Sequence, residues 1–348
     1  MKRLWIARPI ACALLLAAAF AAARPAAAAD PGPWKFGTTA KLTLSQSAFS
    51  SNWAGGDRGS LVWVIGTDTQ ADRQLTTRFN WANHLELAYG QTSKQNPDPS
   101  NGGDLRWDTP EKSTDKIALE STGRWTLDRW ADPYLSLRLD SQFLDQSNPL
   151  GELSFNPIKL KEAAGIARVL RKTDDASVLT RLGFGFRQTM GKTFVIDPAL
   201  RKASFSSNDG GLEWQTNVVQ PMLEKKVLYK GQLLLFQPVF YSKSSALEQF
   251  DRDVRAGDAS RAAEPGREPV ADFWKAVDVN FQNEFTASIT KVLGVSLTAQ
   301  FVYDKFDAAA NVDNTLPLAA LEPEILRNTR KAGQFREVLA LTIKYALF

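Results

Sequence analysis

The chain ends on "REVLALTIKYALF", residues 336–348, in which apolar side chains alternate with small or polar ones. Leu339, Leu341 and Ile343 share one face, and Ala340 lies on the other. A period of two residues is the periodicity of a β-strand with one apolar face. The stretch therefore predicts either a half-buried strand of a soluble sheet or the closing strand of a barrel whose apolar face contacts lipid.

The first residues have the pattern of an export signal. A basic start precedes an uncharged apolar run over 10–23, Arg24 interrupts this run, and alanines follow up to Asp30. This order is typical of a secretory signal with a cleavage site after small residues. A lone transmembrane helix is the alternative, but it needs about 20 apolar residues. We predict a signal peptide over 1–29 and a single mature domain over 30–348.

Charge and cysteine content exclude several classes of protein. Cys12 is the only cysteine and lies in the predicted signal, so the mature chain can form neither a disulfide nor a cysteine-ligated metal site. Four basic residues and no acidic residue precede Asp30, which reduces 42 basic and 38 acidic residues to 38 of each. This balance does not predict nucleic-acid binding. The negative mean hydropathy, with no later long apolar run, excludes a bundle of membrane helices.

The mature chain repeats the alternating pattern of its last residues. In "LTTRFNWANHLELAYG", residues 75–90, aromatic and leucine side chains share one face, and Glu86 and His84 share the other. Strands of globular domains have about five or six residues, whereas a tilted strand across lipid needs about 9 to 11 and some overhang. The length of these segments favours membrane strands. The predicted strands span 34–46, 58–71, 74–92, 114–127, 130–145, 160–171, 177–190, 209–222, 226–243, 271–287, 291–306 and 334–348.

Short and long connections alternate between these predicted strands, as in outer-membrane barrels with short periplasmic turns and long extracellular loops. Backbone amides in lipid need internal partners, which only helices and closed sheets supply. We predict an all-β fold, a transmembrane antiparallel up-and-down β-barrel of about twelve strands in the cell outer membrane. A soluble secreted β-protein is the alternative. Aromatic girdles near the strand ends are expected from Trp34, Trp81, Tyr89, Trp125, Trp130, Tyr134 and Trp274.

Two segments are less clear in the sequence. Residues 158–172, "IKLKEAAGIARVLRK", fit either a strand or an alanine-rich amphipathic helix. Residues 226–240 are apolar on both faces around 233–236, and Pro238 is unfavourable in a paired strand.

Several stretches resemble the DUF3078 family of bacterial proteins. They are "SNWAGG" at 51–56, "LELAYG" at 85–90, "TDKIALE" at 114–120 and the closing strand at 335–348. The family is regarded as outer-membrane barrels of unknown function, so the resemblance implies a fold and a location and no catalytic residue.

The final residue, Phe348, resembles the C-terminal signal that the barrel-insertion machinery reads in outer-membrane proteins. The usual aromatic residue two positions earlier is replaced by Ala346, and Tyr345 is out of phase. The expected partners are therefore outer-membrane lipid, the insertion machinery and an unknown small solute, without nucleic acid.

The sequence contains no recognisable catalytic or metal-binding pattern. His84 is the only histidine, and a triad or a histidine metal site would have to use it. An outer-membrane phospholipase of this architecture has a serine two residues after its histidine, whereas Glu86 stands here. We predict no cofactor, no metal and no enzyme activity, and a polar lumen side chain for His84.

Alternation directs one set of charged side chains into the lumen. They can line a narrow water path, or they can pair across the lumen and plug it. In the first long loop, Asn52 and Trp53 form a candidate site where Trp53 could stack on a sugar or anchor at lipid headgroups. The candidate lumen-lining residues are Arg78, His84, Glu86, Glu120, Arg124, Arg138, Asp140, Arg181, Arg187, Asp278, Glu284 and Asp304.

The sequence therefore predicts a narrow or gated channel for small solutes or ions. A non-conducting barrel that binds a ligand or envelope partner through its extracellular loops is the alternative, and an outer-membrane hydrolase is the third hypothesis.

Overall fold

The computed structural model describes most of the chain after the predicted signal. The signal segment 1–29, the candidate loop residues Asn52 and Trp53, and Phe348 lie outside the described residues. These described residues are 30–48, 50, 58–101, 104–127, 129–173, 175–196, 200–257, 269–308, 312, 321–322, 325–326, 328–330 and 332–346.

Twelve long strands form an antiparallel sheet that closes on itself, and a thirteenth short strand extends one of them. The last long strand pairs with the first over 342–346 and 39–43. Each of the twelve long strands thus has a partner strand on both sides. This confirms the predicted fold class. The long strands are β1 (Lys35–Ser47), β2 (Ser60–Thr76), β3 (Phe79–Pro97), β5 (Glu111–Trp125), β6 (Asp132–Ser141), β9 (Ile158–Lys172), β10 (Ser177–Ile196), β11 (Leu200–Met222), β12 (Val227–Tyr241), β13 (Asp278–Ser288), β14 (Leu293–Tyr303) and β15 (Gln334–Ala346).

Shorter elements lie in the long connections. Strand β4 (Leu105–Trp107) pairs with the end of β3, and β7 (Leu144–Asp145) pairs with β8 (Leu153–Ser154). The connection after β12 contains helix α1 (Ser244–Gly257) and a 3-10 turn (Phe273–Lys275). A further 3-10 turn, Pro99–Asn101, follows β3. No helix in the described ranges is long and apolar enough to cross a membrane.

The ambiguous segment 158–172 is strand β9, which pairs with β6 and β10. Its small residues are needed for close contact within the barrel. A Cβ atom at Gly165 would lie 2.2 Å from the carbonyl oxygen of Leu182, and Ala163 and Ala167 pack against Tyr134. As a strand, this segment forms hydrogen bonds with the backbone groups of both β6 and β10. A helix here would leave those backbone groups without partners.

Strands β10 and β11 extend further than the sequence predicts. Residues 191–196 and 200–208, predicted as part of a long loop, continue both strands as a tall hairpin whose register runs to the pair Ile196 and Leu200. The loop prediction was wrong there, since β10 and β11 continue to pair over 191–196 and 200–207. By contrast, β13 begins seven residues later than predicted, at Asp278, because the 3-10 turn precedes it.

Side-chain burial is inverted relative to a soluble protein. Leu339 is 71% exposed and Phe335 is 67% exposed, whereas Arg181 and Glu213 are buried. A continuous apolar surface on a sheet whose other face is charged is the pattern of a barrel in lipid. It disfavours the alternative of a soluble β-protein. The exposed apolar set includes Phe36, Leu42, Ile65, Leu119, Leu135, Leu182, Leu212, Phe281, Phe301 and Leu341.

Aromatic rings mark the short-turn end of the barrel. The rings of Trp34 and Trp81 lie 5.5 Å apart, and Phe79 lies 4.8 Å from Trp125. Trp130 is exposed in the turn that follows β5. These positions agree with a girdle at this end.

The second aromatic group lies at the long-loop end. Tyr89 contacts Trp63 there, about 26 Å along β3 from Trp81 at the usual rise of a strand. Tyr134 and Trp274 were wrongly assigned to the girdles. Tyr134 points inward and is buried, and Trp274 packs against Tyr241 in the long loops.

The long loops contain their own apolar core. Leu247 and Phe250 of α1 pack with Tyr241, Phe306 and Ile325. This core joins the connection after β12 to the connection after β14. The layer that it forms lies at the long-loop end of the barrel.

Candidate functional site

One half of the lumen wall carries a series of ion pairs. Arg181 on β10 donates to Glu120 on β5 at 2.8 Å, and Arg138 on β6 donates to the same carboxylate at 3.4 Å. Arg138 also donates to Asp140 through hydrogen bonds of 2.6 and 2.7 Å. The Arg181 side chain is 5% exposed and that of Glu120 is 20% exposed. Charges this shielded are tolerated because each has a partner.

The ion pairs continue across the neighbouring strands. Lys161 on β9 donates to Glu213 on β11 at 2.7 Å, so this pair spans β10. Arg187 on β10 donates to Asp278 on β13 at 2.8 Å and to Asp209 on β11. We call these eight residues the ion-pair ladder: Glu120, Arg138, Lys161, Arg181, Arg187, Asp209, Glu213 and Asp278.

Glycines on β10 make room for this ladder. A Cβ atom at Gly183 would lie 2.7 Å from the hydroxyl of Tyr134, and one at Gly185 would lie 3.4 Å from the ring of Phe236. The guanidinium of Arg187 lies 3.8 Å from the centre of that ring. Because β10 presents no side chain at these two positions, side chains of the strands on either side of it can contact each other across β10.

The opposite half of the wall is more open to water. His84 on β3 contacts Asp68 on β2 at 3.1 Å, and Lys41 on β1 lies 3.5 Å from the same carboxylate. Lys116 on β5 donates to Glu86 on β3 at 2.6 Å. We call these five residues the solvated wall.

The exposure of the solvated wall arises inside the barrel. The side chains of His84, Lys116 and Glu86 are 43%, 40% and 38% exposed. They lie within strands, and their outward neighbours, such as Leu119, form the apolar outer face. Alternation therefore directs these side chains towards the inner face of the sheet, where they remain partly exposed.

The remaining predicted lumen residues lie at several places. Arg124 is 3.7 Å from Asp132 near the short turns, and Glu284 on β13 accepts a hydrogen bond from Thr286 at 3.1 Å. Arg78 lies in the exposed turn between β2 and β3, so the expectation that it lines the lumen was wrong. Arg78 was assigned to the lumen from the alternation of apolar and polar residues, and this alternation is interrupted at the turn.

Asp304 lies at the mouth, directly after β14. Burial, followed by the neighbouring Asp307 carboxylate, raises the pKa of Asp304 above its ordinary value. The loop that begins here reaches β9, where Lys159 lies 3.5 Å from Asp307. Strands β13, β12, β11 and β10 lie between β14 and β9, so the described start of this loop, residues 304–308, reaches across the mouth.

A cavity of about 450 Å³ opens beside this crossing loop. It lies at the long-loop end, between the connection from β6 to β9, the tall hairpin and the loop after β14. Its lining residues are Asp115, Asp140, Ser141, Gln142, Asp145, Ser147, Asn148, Leu153, Asn156, Pro157, Lys159, Lys192, Thr193, Phe205, Asp307 and Asn328.

Sequence reasoning missed several of these residues. Lys41 and Asp68 share the inward phase of their strands, and alternation alone could have identified them. Asp307 lies in the loop after β14, where the sequence has no regular alternation. Nothing in the neighbouring sequence therefore predicted its contact with Lys159. Within the described ranges, no group of three or more His, Cys, Asp or Glu residues is arranged to hold a metal ion.

The geometry defines a class of protein: a closed antiparallel β-barrel with an apolar outer face and a charged interior. Residues 44–146 match the model of a family described as "Protein of unknown function (DUF3078)", which confirms the resemblance over that part of the chain. A search of curated proteins found no match.

Several solved structures are similar to this chain at low identity. A COG4313 outer membrane channel from Pseudomonas putida F1 is 12% identical, with 92% of this chain and 96% of that chain covered and a TM-score of 0.36. The beta domain of the Bordetella autotransporter BrkA is 12% identical, with coverage of 89% and 98% and a TM-score of 0.32. The translocator domain of the autotransporter NalP from Neisseria meningitidis is 6% identical, with coverage of 90% and 87% and a TM-score of 0.36.

Proposed function

We propose that this protein is an outer-membrane β-barrel that forms a narrow, water-filled channel for small polar solutes or ions. The observation that carries the proposal is the exposure of His84, Glu86 and Lys116 inside the barrel. A plugged lumen would bury such mid-strand charges or pair them away from water. A hydrated row of both charge signs is instead the environment that ions and polar solutes need to cross a membrane.

The two faces of the sheet and the predicted export signal support this location. The apolar outer face fits lipid, and the pairing of each long strand with two neighbours supplies backbone partners within the sheet. We propose outer-membrane lipid as the surrounding medium and the insertion machinery as the partner of the C-terminal segment, whose last residue is Phe348.

The ion-pair ladder supports a narrow lumen. Its side chains pair with one another across the strands of one half of the wall, and Tyr134 and Phe236 pack against Arg181 and Arg187. The loop after β14 further restricts the mouth through the contact of Asp307 with Lys159. The path left for solute follows the solvated wall on β1, β2, β3 and β5.

An enzyme is a weaker proposal. His84 faces Asp68, and Glu86, two residues later, pairs with Lys116 rather than presenting a nucleophile. A non-conducting barrel is the stronger alternative, and the cavity beside the crossing loop favours it as a place where a ligand could bind.

Planar-bilayer recording of the refolded mature protein with Glu86→Gln tests the channel. This substitution leaves the Lys116 charge in the path without its partner, so selectivity should shift towards anions while open steps persist. Lys225→Gln, in the exposed turn between β11 and β12, is the matched control and should leave selectivity unchanged. Folded protein that gives no open steps would refute the channel and leave the non-conducting barrel.

A further inference from the structure

The tall hairpin carries the outer side of the barrel beyond its apolar part. Thr189 and Ser207 oppose each other and are buried on the inner side, so their neighbours, such as Met190, face outward. These outward positions follow, along the same two strands, the exposed apolar pair Phe184 and Leu212. We call the eight outward positions the hairpin face: Gln188, Met190, Lys192 and Phe194 on β10, and Lys202, Ser204, Ser206 and Asn208 on β11.

A carboxylate marks where the apolar outer face ends. Gln188 donates to the two carboxylate oxygens of Glu162 on β9 at 3.1 and 3.2 Å. Glu162 opposes Phe186 in the register of β9 and β10, so it faces outward as well. A carboxylate is costly to place in hydrocarbon. This pair therefore sets the upper limit of the lipid tails, and the rest of the hairpin face stands above them.

Two exposed lysines give the hairpin face its positive charge. Lys192 opposes Ser204 in the register of β10 and β11. Lys202 is two positions closer to the tip, which makes it the diagonal neighbour of Lys192, with Cβ atoms about 7–8 Å apart. Its ammonium group lies 5.4 Å from the centre of the Phe194 ring, which holds it on this face. None of the eight positions is acidic, so one phosphate group can contact both ammonium groups without a competing carboxylate on this face.

The height of these lysines favours one kind of anionic lipid. Lys192 is four residues beyond Gln188, which is about 13 Å along the strand and about 10 Å in height at a tilt of about 40°. The headgroup layer of a phospholipid bilayer is about 5–8 Å thick on each side. A phosphate between Lys192 and Lys202 therefore stands on a taller headgroup, one with sugar rings that the side chains of Ser206 and Asn208 can contact.

We propose that the hairpin face binds a phosphorylated glycolipid of the outer leaflet, with its phosphate between Lys192 and Lys202. Its acyl chains lie against the apolar outer face near Phe184. Apolar, then amide and hydroxyl, then ammonium groups follow one another along the hairpin, which matches acyl chains, saccharide and phosphate in such a lipid. The proposal rests on the proposed outer-membrane location and not on conduction through the lumen.

Native mass spectrometry of the folded mature protein in detergent tests the hairpin face, with diphosphoryl lipid A as the probe. Lipid A should bind at least about tenfold more tightly than its dephosphorylated form or phosphatidylglycerol. Because each lysine near an anionic lipid surface is worth about fivefold in affinity, Lys192→Gln with Lys202→Gln should weaken lipid A binding about 25-fold. Lys225→Gln with Lys226→Gln removes the same charge from the exposed turn between β11 and β12 and should bind as the wild type does.

Three results would overturn the proposal. They are equal binding of the dephosphorylated form, unchanged binding by the Lys192 and Lys202 double variant, and phosphatidylglycerol binding as tight as that of lipid A, which would assign the face to a glycerophospholipid. Conductance in a bilayer without lipid A separates this proposal from the proposed function. Open steps from a protein that does not bind lipid A refute the hairpin face and leave the channel. A silent barrel that binds lipid A through the two lysines supports the hairpin face and refutes the channel.

Discussion

Removing the charge of Glu120 should destabilise the barrel strongly, because this carboxylate is the ion-pair partner of a buried arginine. Glu120→Gln keeps the shape of the side chain and leaves Arg181 with a 3.3 Å hydrogen bond to Thr122. Breaking a buried pair by removing one partner costs about 3–5 kcal/mol. Arg138 keeps its two hydrogen bonds to Asp140, and the new amide oxygen can still accept, so we expect the lower end, about 3 kcal/mol.

The assay is equilibrium urea unfolding of the protein inserted in lipid vesicles, followed by tryptophan fluorescence. Glu120→Gln combined with Arg181→Met should recover about 2 kcal/mol, because the double variant leaves no unmatched charge in the wall. Lys225→Gln breaks an exposed pair with Asp175 and should cost about 0–1 kcal/mol. A cost of Glu120→Gln no larger than that of Lys225→Gln, or no recovery in the double variant, would refute the reasoning.

Three further predictions concern packing, lipid contact and pH. Gly165→Ala should cost about 1–3 kcal/mol because its Cβ would approach the Leu182 carbonyl, whereas Gly37→Ala, with nothing within 4 Å, should be nearly neutral in the same urea assay. Leu339→Arg places a charge on the exposed apolar face and should cost about 2–4 kcal/mol near the bilayer centre, measured in vesicles. The raised pKa of Asp304 means that the native state binds its proton more tightly, so stability falls as pH rises above the ordinary value of about 4. Asp304→Asn should reduce that loss, measured by thermal unfolding at pH 4 and pH 7; an unchanged pH dependence would contradict the assignment.

The strands could be predicted because contact with lipid requires an apolar side chain at every second residue. In β15, Leu339 is exposed and Ala340 is buried, as the alternation indicates. The sequence of β9 shows no such contrast between its two faces. Its inward positions include Ala163 and Ala167, which are small enough to fit either a strand or an amphipathic helix. This segment is a strand because it pairs with strands on both sides. The periodicity of its sequence carries no information about that pairing.

The partners of charged side chains were much less predictable than their direction. Lys161 meets Glu213 two strands away because glycines on the strand between them leave space. Lys159 and Asp307 are 148 residues apart in the chain, and their contact depends on loop packing around Phe306. Alternation indicates which side chains face inward, whereas these pairings follow from three-dimensional packing.

The most direct test of the hydrated lumen compares cysteines at two adjacent positions of β3. Cys12 is the only cysteine of the chain and lies in the predicted signal, so His84→Cys and Leu85→Cys each introduce a single thiol into the mature protein. A charged, membrane-impermeant thiol reagent is applied to the protein in a planar bilayer, and labelling and conductance are measured together. We expect the thiol at position 84 to react and conductance to fall, with the thiol at position 85 protected by lipid. An unreactive thiol at 84, or equal reaction at both positions, would contradict a water-filled channel along this wall.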